Sequence, residues 1–376
     1  MTTLPTIPMN DLGRLIREDR SSIDRAIGSV LDSGWLIHGT QHQTFEDEFA
    51  AYNGSSSCVG VANGTDALIV ALGAIGVGPQ DTVIMVANAG FYAATACCAR
   101  GATPHFVDVR RNTLNMDPAA LRAALERTTP KAVIVTHLYG GLAEVEEIAA
   151  LCREANVALI EDCAQATGAR TTSGRMAGTF GDLGCFSFYP TKNLAAIGDG
   201  GAIVTDSLEL AEHCRRIRQY GWSERYTVTR SGVNSRLDEI QAAVLRDRLP
   251  RLDERNTRRR GIAAAYAEAL TKHEAQLVFW DDASNVAHLT VVRTAFRDDL
   301  RSHLDTYGIS SDIHYPIADD LQEVWQHEGR TRIADDLVET YSAITEIVSV
   351  PGFPEMTDEE VVRVASALSD FREGTR

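Results

Sequence analysis

The 376-residue sequence is short of lysine: Lys131, Lys192 and Lys272 are its only three, set against 33 arginines. It also lacks any stretch near the roughly 20 apolar residues that cross a bilayer. Its first twenty residues, MTTLPTIPMNDLGRLIREDR, hold no apolar signal segment, so a soluble, cytoplasmic protein is expected. Positive charge is in deficit, with a formal net charge of −16, which argues against nucleic acid or an anionic membrane as partner. An anionic ligand would need a local cluster of cations. The seven cysteines are odd in number and lack paired metal-ligand spacing, so they read as buried reduced thiols and no metal site is expected. No G-x-G-x-x-G follows a first strand, which removes the main ground for a nicotinamide-dependent oxidoreductase.

What is present is an alternation of short apolar strands and amphipathic helices from about 58 to 206. TVIMVA, TPHFVDV, KAVIVTHLYG, VALIEDC, CFSF and AIVTD are the strand candidates, and GTDALIVALGAIG, DPAALRAALER and AEVEEIAALCREAN are helices between them. This pattern predicts an α/β fold with a largely parallel sheet covered by helices on both faces. Ligands in such sheets bind beyond the carboxyl ends of the strands, which places Asp162 at the expected site. The stretch from about 235 to 270 predicts a helix interrupted near Pro250 and then resumed, a bridge between a large domain (1–250) and a smaller α+β domain (251–376).

Four features fall near strand ends. Gly64 and Thr65 open a helix whose free amides and dipole suit a phosphate, although such residues taken alone are more often an ordinary N-cap. Phe91 and Tyr92 follow a strand, where a ring could stack on a planar cofactor or simply fill core. Glu161 and Asp162 end a buried strand, where a carboxylate needs a cation or several donors. Lys192 lies 30 residues later, between Ser187 and the GDGG run, whose glycines allow close backbone approach. Lys131 and Lys272 sit in polar contexts and read as surface charges. Together these are the parts of a pyridoxal 5′-phosphate site. Only lysine forms a Schiff base with the aldehyde, and a carboxylate opposite the ring nitrogen keeps it protonated. Arginine could not substitute, because guanidinium does not readily lose its proton.

The segments NGTDALIVAL, IEDCAQATGA, FSFYPTKNLAAIGDGGAIVT and GVNSRLDEIQAAVL resemble, in order and spacing, the motifs of the DegT/DnrJ/EryC1/StrS family of sugar aminotransferases. The resemblance runs from SGWLIHGTQHQTFEDEFA to IHYPI. It implies an aspartate-aminotransferase type (fold type I) transferase, acting as a homodimer with shared active sites. Lys192 is implied as the cofactor-binding lysine and Asp162 as the partner of the pyridine nitrogen. Gln165 is implied at the ring hydroxyl, Gly64, Thr65 and Ser187 at the phosphate, and Tyr92 on the ring face, with the choice between Phe91 and Tyr92 left open. Asn234 resembles an asparagine that reaches the phosphate of the neighbouring subunit. Thr167 departs from the histidine common in AQAHGA. ANAG and RQYGW look most like members acting on nucleotide-linked 3-keto-6-deoxyhexoses, with L-glutamate as amino donor.

A nucleoside diphosphate requires cations, and Arg215, Arg216, Arg218, Arg225 and Arg230 are the nearest dense supply, unless they form a solvated basic face. His314 and Tyr315 are candidates for the sugar site, with a purely structural hydrogen bond the alternative for His314. Rival readings are a 4-keto sugar aminotransferase, a cofactor-dependent sugar dehydratase, in which a histidine replaces the lysine, and a non-catalytic regulatory homologue.

Overall fold

The computed structural model describes residues 5–278 and 282–372. Helices α1 (Leu12–Ser33) and α2 (Thr40–Asn53) precede β1 (Ser57–Val61) and α3 (Gly64–Ala74). The alternation continues through β2 (Thr82–Val86), α4 (Tyr92–Ala99), β3 (Thr103–Val107), α5 (Pro118–Arg127), β4 (Ala132–Thr136), α6 (Val145–Ala155), β5 (Ala158–Asp162), β6 (Leu183–Ser187), β7 (Gly201–Thr205) and α7 (Leu208–Arg218). A short hairpin, β8 (Trp222–Glu224) and β9 (Thr227–Val228), leads to α8 (Glu239–Arg248) and α9 (Leu252–Ala269), which are joined through a single turn at Leu249–Arg251 that contains Pro250. The rest comprises β10 (Gln276–Leu277), β11 (Thr290–Arg293), α10 (Arg297–Thr306), α11 (Val324–His327), β12 (Ile333–Ala334), α12 (Val338–Glu346), β13 (Ile347–Val350) and α13 (Asp358–Asp370).

Eight strands form one sheet in the order β1-β7-β6-β5-β4-β2-β3-β12. From β6 to β12 all neighbours are parallel, and β7 alone runs against both β6 and β1. β1, β4, β6 and β7 are buried along their whole length, as a sheet covered on both faces requires. This is the mostly parallel, helix-flanked sheet that the sequence predicts.

The remaining layer is a three-stranded antiparallel sheet, β10-β11-β13, packed with α9, α10 and α13 around Tyr266, Leu300, Phe353 and Leu368. Ile7 from the N-terminal segment is buried in this cluster, and its backbone bridges Ile309. The segment from Ala318 to Leu337 crosses back, adding β12 to the edge of the large sheet and Trp325 to its core.

One buried ionic knot fastens α2 and α7 to β1. Arg218 pairs with Glu46 at 2.5 Å and donates to the Gly60 carbonyl at 2.6 Å, while the Gly60 amide donates to Glu46 at 2.7 Å. Arg218 is 6% exposed and Glu46 3%. Arg218 is therefore structural and is withdrawn from the proposed supply of cations for a nucleotide; Arg216 is likewise paired with Glu212, one turn earlier on α7. Burial pushes the Glu46 carboxyl up, but the His42 hydrogen bond and the Arg218 charge outweigh it and hold the group at about 2.

A depressed carboxylate stabilises the fold above its unfolded pKa, near 4.3, and this contribution is lost as pH falls toward about 2. Glu46→Ala should cost about 3–5 kcal/mol in urea unfolding, because it strands a buried guanidinium. It should also flatten the acid limb of the stability curve; a loss below about 1 kcal/mol would show that the knot is dispensable.

Candidate active site

The carboxyl ends of β1, β2, β5 and β6 open onto one pocket of about 540 Å³, lined by Asn63, Gly64, Thr65, Tyr92, Asp162, Gln165, Ser187, Lys192, His288, His314 and Tyr315 among others. Seven of the eight residues expected to hold the cofactor thus line one pocket, and Asn234 is the exception. Strand alternation explains why only one of two adjacent carboxylates faces it. Asp162 lines the pocket, while Glu161 accepts the amides of Gly178, Phe180 and Gly181 and contacts His137 at 3.0 Å within the protein.

At the end formed by the start of α3, the Asn63 side chain caps the Asp66 amide and the Asn63 carbonyl takes that of Ala67. The amides of Gly64 and Thr65 remain at the pocket wall beside the Ser187 hydroxyl. Gly64 is needed sterically, since a Cβ there would stand 2.7 Å from the Ser187 Cβ.

At the other end, Pro190 sits in a turn closed by the Lys192 amide donating to the Tyr189 carbonyl at 2.8 Å, which directs Lys192 inward. Burial lowers the Lys192 amine to about 8, against the pull of Asp162. Asp162 is itself raised by burial and restrained by the Ala164 amide, Lys192, His137 and Thr136. It accepts from the Ala164 amide at 3.1 Å and from the Thr136 hydroxyl at 3.4 Å. Lys131 and Lys272 are exposed, as their contexts predict.

Phe91 and Tyr92 point in different directions. Phe91 takes a left-handed φ of 71°, and its ring packs on Trp325 at 5.4 Å in the core. Tyr92 lines the pocket with its ring 6.2 Å from that of Tyr315. Gly90 serves this loop twice, through a φ of 80° and because a Cβ there would lie 2.9 Å from the Tyr315 ring. Gln165 bridges the Tyr139 amide (2.6 Å) and the Tyr315 hydroxyl (3.2 Å), and His314 is fixed by Ser349 at 2.8 Å.

Arg225 and Arg230 lie elsewhere. Arg225 stacks on Tyr226 in the exposed β8–β9 hairpin, and Arg230, just beyond it, contacts His213 at 3.0 Å; neither lines this chain's pocket. Asn234 is exposed, its backbone bridged to Gln219. Thr167 is buried behind the site, where its carbonyl accepts from Asn256. Sequence reasoning missed Asn63, Tyr189, Thr191, Asp199 and His288. The only signal for His288 was a histidine preceding the apolar strand LTVV.

A model of the DegT/DnrJ/EryC1/StrS aminotransferase family matches residues 17–369. The chain belongs to this family. It is 41% identical, over 97% of its length and 99% of the other's, to the dTDP-3-amino-3,6-dideoxy-alpha-D-galactopyranose transaminase of Aneurinibacillus thermoaerophilus. It is 39% identical to a pleiotropic regulatory protein of Geobacillus stearothermophilus, over 97% and 98% of the two chains. The crystal structure of S. venezuelae DesV in complex with a ketimine intermediate superposes with a TM-score of 0.91 at 40% identity, covering 97% of this chain and 98% of that one.

Aminotransferases of this family depend on pyridoxal 5′-phosphate. The donor set fits that group: an amine of lowered basicity, a buried carboxylate, a helix start with a hydroxyl, and an aromatic ring on the pocket wall. Truncating Phe91 to Ala should cost about 1–3 kcal/mol of stability, whereas Tyr92→Ala should leave stability nearly unchanged and weaken cofactor retention. Chemical denaturation and cofactor titration of the two variants check this, and the reverse pattern would exchange their roles.

Proposed function

We propose that this protein transfers the amino group of L-glutamate to the C3 keto carbon of a dTDP-linked 6-deoxyhexose. The observation that carries the reading is the Lys192 amine, lowered to about 8 by burial, facing Asp162 in a pocket whose far end is a helix start. The choice of a 3-keto substrate leans on the transaminase of Aneurinibacillus thermoaerophilus. Similarity to a regulatory protein favours non-catalytic action, but retention of Lys192, Asp162 and Gln165 in one pocket argues for catalysis.

When bound, pyridoxal phosphate supplies an electron sink for the electrons left as a proton leaves the amino-bearing carbon. In this reading Gly64, Thr65 and Ser187 hold the phosphate, and Asp162 keeps the ring nitrogen protonated. Gln165 orients the ring hydroxyl and Tyr92 covers one face. Lys192 would hold the cofactor by its aldehyde carbon, and as a free amine it would remove the proton from the amino-bearing carbon of the donor and return one with the keto sugar. A pKa near the working pH lets one amine perform both transfers. His314 and Tyr315 border the sugar.

The proposal extends to a cytoplasmic homodimer, and no helix among the described residues is long and apolar enough to cross a membrane. Asn234, Arg225 and Arg230 are assigned to the partner's pocket. Support comes from their exposure and from the Tyr226 ring, 73% exposed, against Arg225. A division into a cofactor domain up to about 250 and a smaller domain after it belongs to the same reading.

The enzyme with pyridoxal phosphate should show a visible band that L-glutamate bleaches, and Lys192→Ala should lower turnover by at least about 10²–10⁴-fold. A glutamate-insensitive band, or full activity in the variant, would overturn the reading. Asn234→Ala should weaken cofactor affinity about tenfold without changing the sedimentation coefficient of the dimer; unchanged affinity removes Asn234 from the site.

A further inference from the structure

Behind Lys192 runs a chain of hydrogen bonds in which each orientation is fixed by the one before it. It starts at the Thr167 carbonyl, which can only accept, so the Asn256 side chain presents its NH₂ there at 3.0 Å. Asn256 Oδ1 therefore faces the Asn193 NH₂ at 2.7 Å, and that NH₂ also donates to the Val286 carbonyl at 3.1 Å. Both Asn193 N–H groups are consumed, so its Oδ1 is left to meet His288 Nδ1 at 2.9 Å as an acceptor. Nδ1 must then carry the proton, which leaves Nε2 with a lone pair.

The chain is also protected from rearrangement. Asn193 is 7% exposed, Asn256 1% and His288 7%. Gly168, at a φ of 92°, leaves room that a Cβ would take, standing 2.6 Å from Asn256 Nδ2. Burial, reinforced by the charges of Lys192 and Arg259, keeps the imidazole well below its ordinary pKa and so uncharged. His288 Nε2 takes no hydrogen bond among the described residues, and His288 lines the pocket beside Leu289, His314 and Lys192.

We propose that His288 is a specificity residue whose Nε2 lone pair accepts a hydrogen bond from a hydroxyl of the sugar held beside Lys192. The inference rests on the aminotransferase reading above and adds which corner of the pocket recognises the sugar. An acceptor with no proton favours a hydroxyl, which can donate, over a carboxylate, which cannot. His288 therefore distinguishes the two substrates that share the pocket, favouring the sugar without aiding glutamate.

The test compares the rates at which two amino donors, L-glutamate and a dTDP-linked 3-amino-6-deoxyhexose, bleach the visible band of the pyridoxal-phosphate enzyme. In His288→Leu the sugar rate should fall about ten- to hundredfold while the glutamate rate stays within about threefold. His288→Asn, which retains an acceptor oxygen, should recover part of the loss. Equal losses for both donors, or no loss for the sugar, would overturn the inference. If neither donor bleaches the wild-type band, the aminotransferase reading has failed instead. Independently, ¹⁵N-histidine spectra should show His288 as the Nδ1–H tautomer, constant from pH 6 to 8, with Nε2 shifting when the amino sugar binds; an Nε2–H or charged ring would overturn the assignment.

Discussion

The structure turns on keeping an amine and a carboxylate of opposite charge in one pocket that is largely withdrawn from water. Either group alone would bear a heavy desolvation penalty, and each is displaced in the direction burial dictates: Lys192 down, Asp162 up. Their mutual attraction offsets part of that penalty, and the Ala164 amide and Thr136 hydroxyl offset more. An amine near neutrality is the chemical product. The parallel sheet makes this possible because it brings the carboxyl ends of β1, β2, β5 and β6 to one edge, with Asp162 and Ser187 as the last residues of their strands.

A second polar system supports the first from behind and reaches the pocket at His288. Asn193 follows Lys192 directly, Asn256 lies on α9, and Thr167 follows β5, so one run of hydrogen bonds joins the lysine loop, the long helix and the strand end. Buried amide networks that are fully satisfied hold a single arrangement, which fixes the loop that carries Lys192. The Arg218–Glu46 knot performs the same task at the other side of β1, which leads into the helix start at the pocket.

Much of this was legible in the sequence, for specific reasons. Six strand candidates correspond to β2 through β7 because β-branched runs between helical patterns admit few alternatives, and Lys192 stood out because an arginine-rich chain retains so few amines. What stayed hidden depended on direction in space. Nothing in FY shows which ring turns inward; the left-handed backbone at Phe91 decides it. Arg218 looked like one cation among several, yet its partner Glu46 lies 172 residues away. His288 carried no motif, and its tautomer follows only from amides 32 and 95 residues distant in sequence.

The central claim is that burial opposite Asp162 makes Lys192 a reactive amine near neutral pH. The direct measurement is the rate of pyridoxal-phosphate capture by the cofactor-free enzyme as a function of pH. Because the folded-state pKa is lowered, the rate should rise through a midpoint at about 8 and level off above it. A rate still climbing toward the ordinary lysine value near 10.4, with no inflection near 8, would contradict the account.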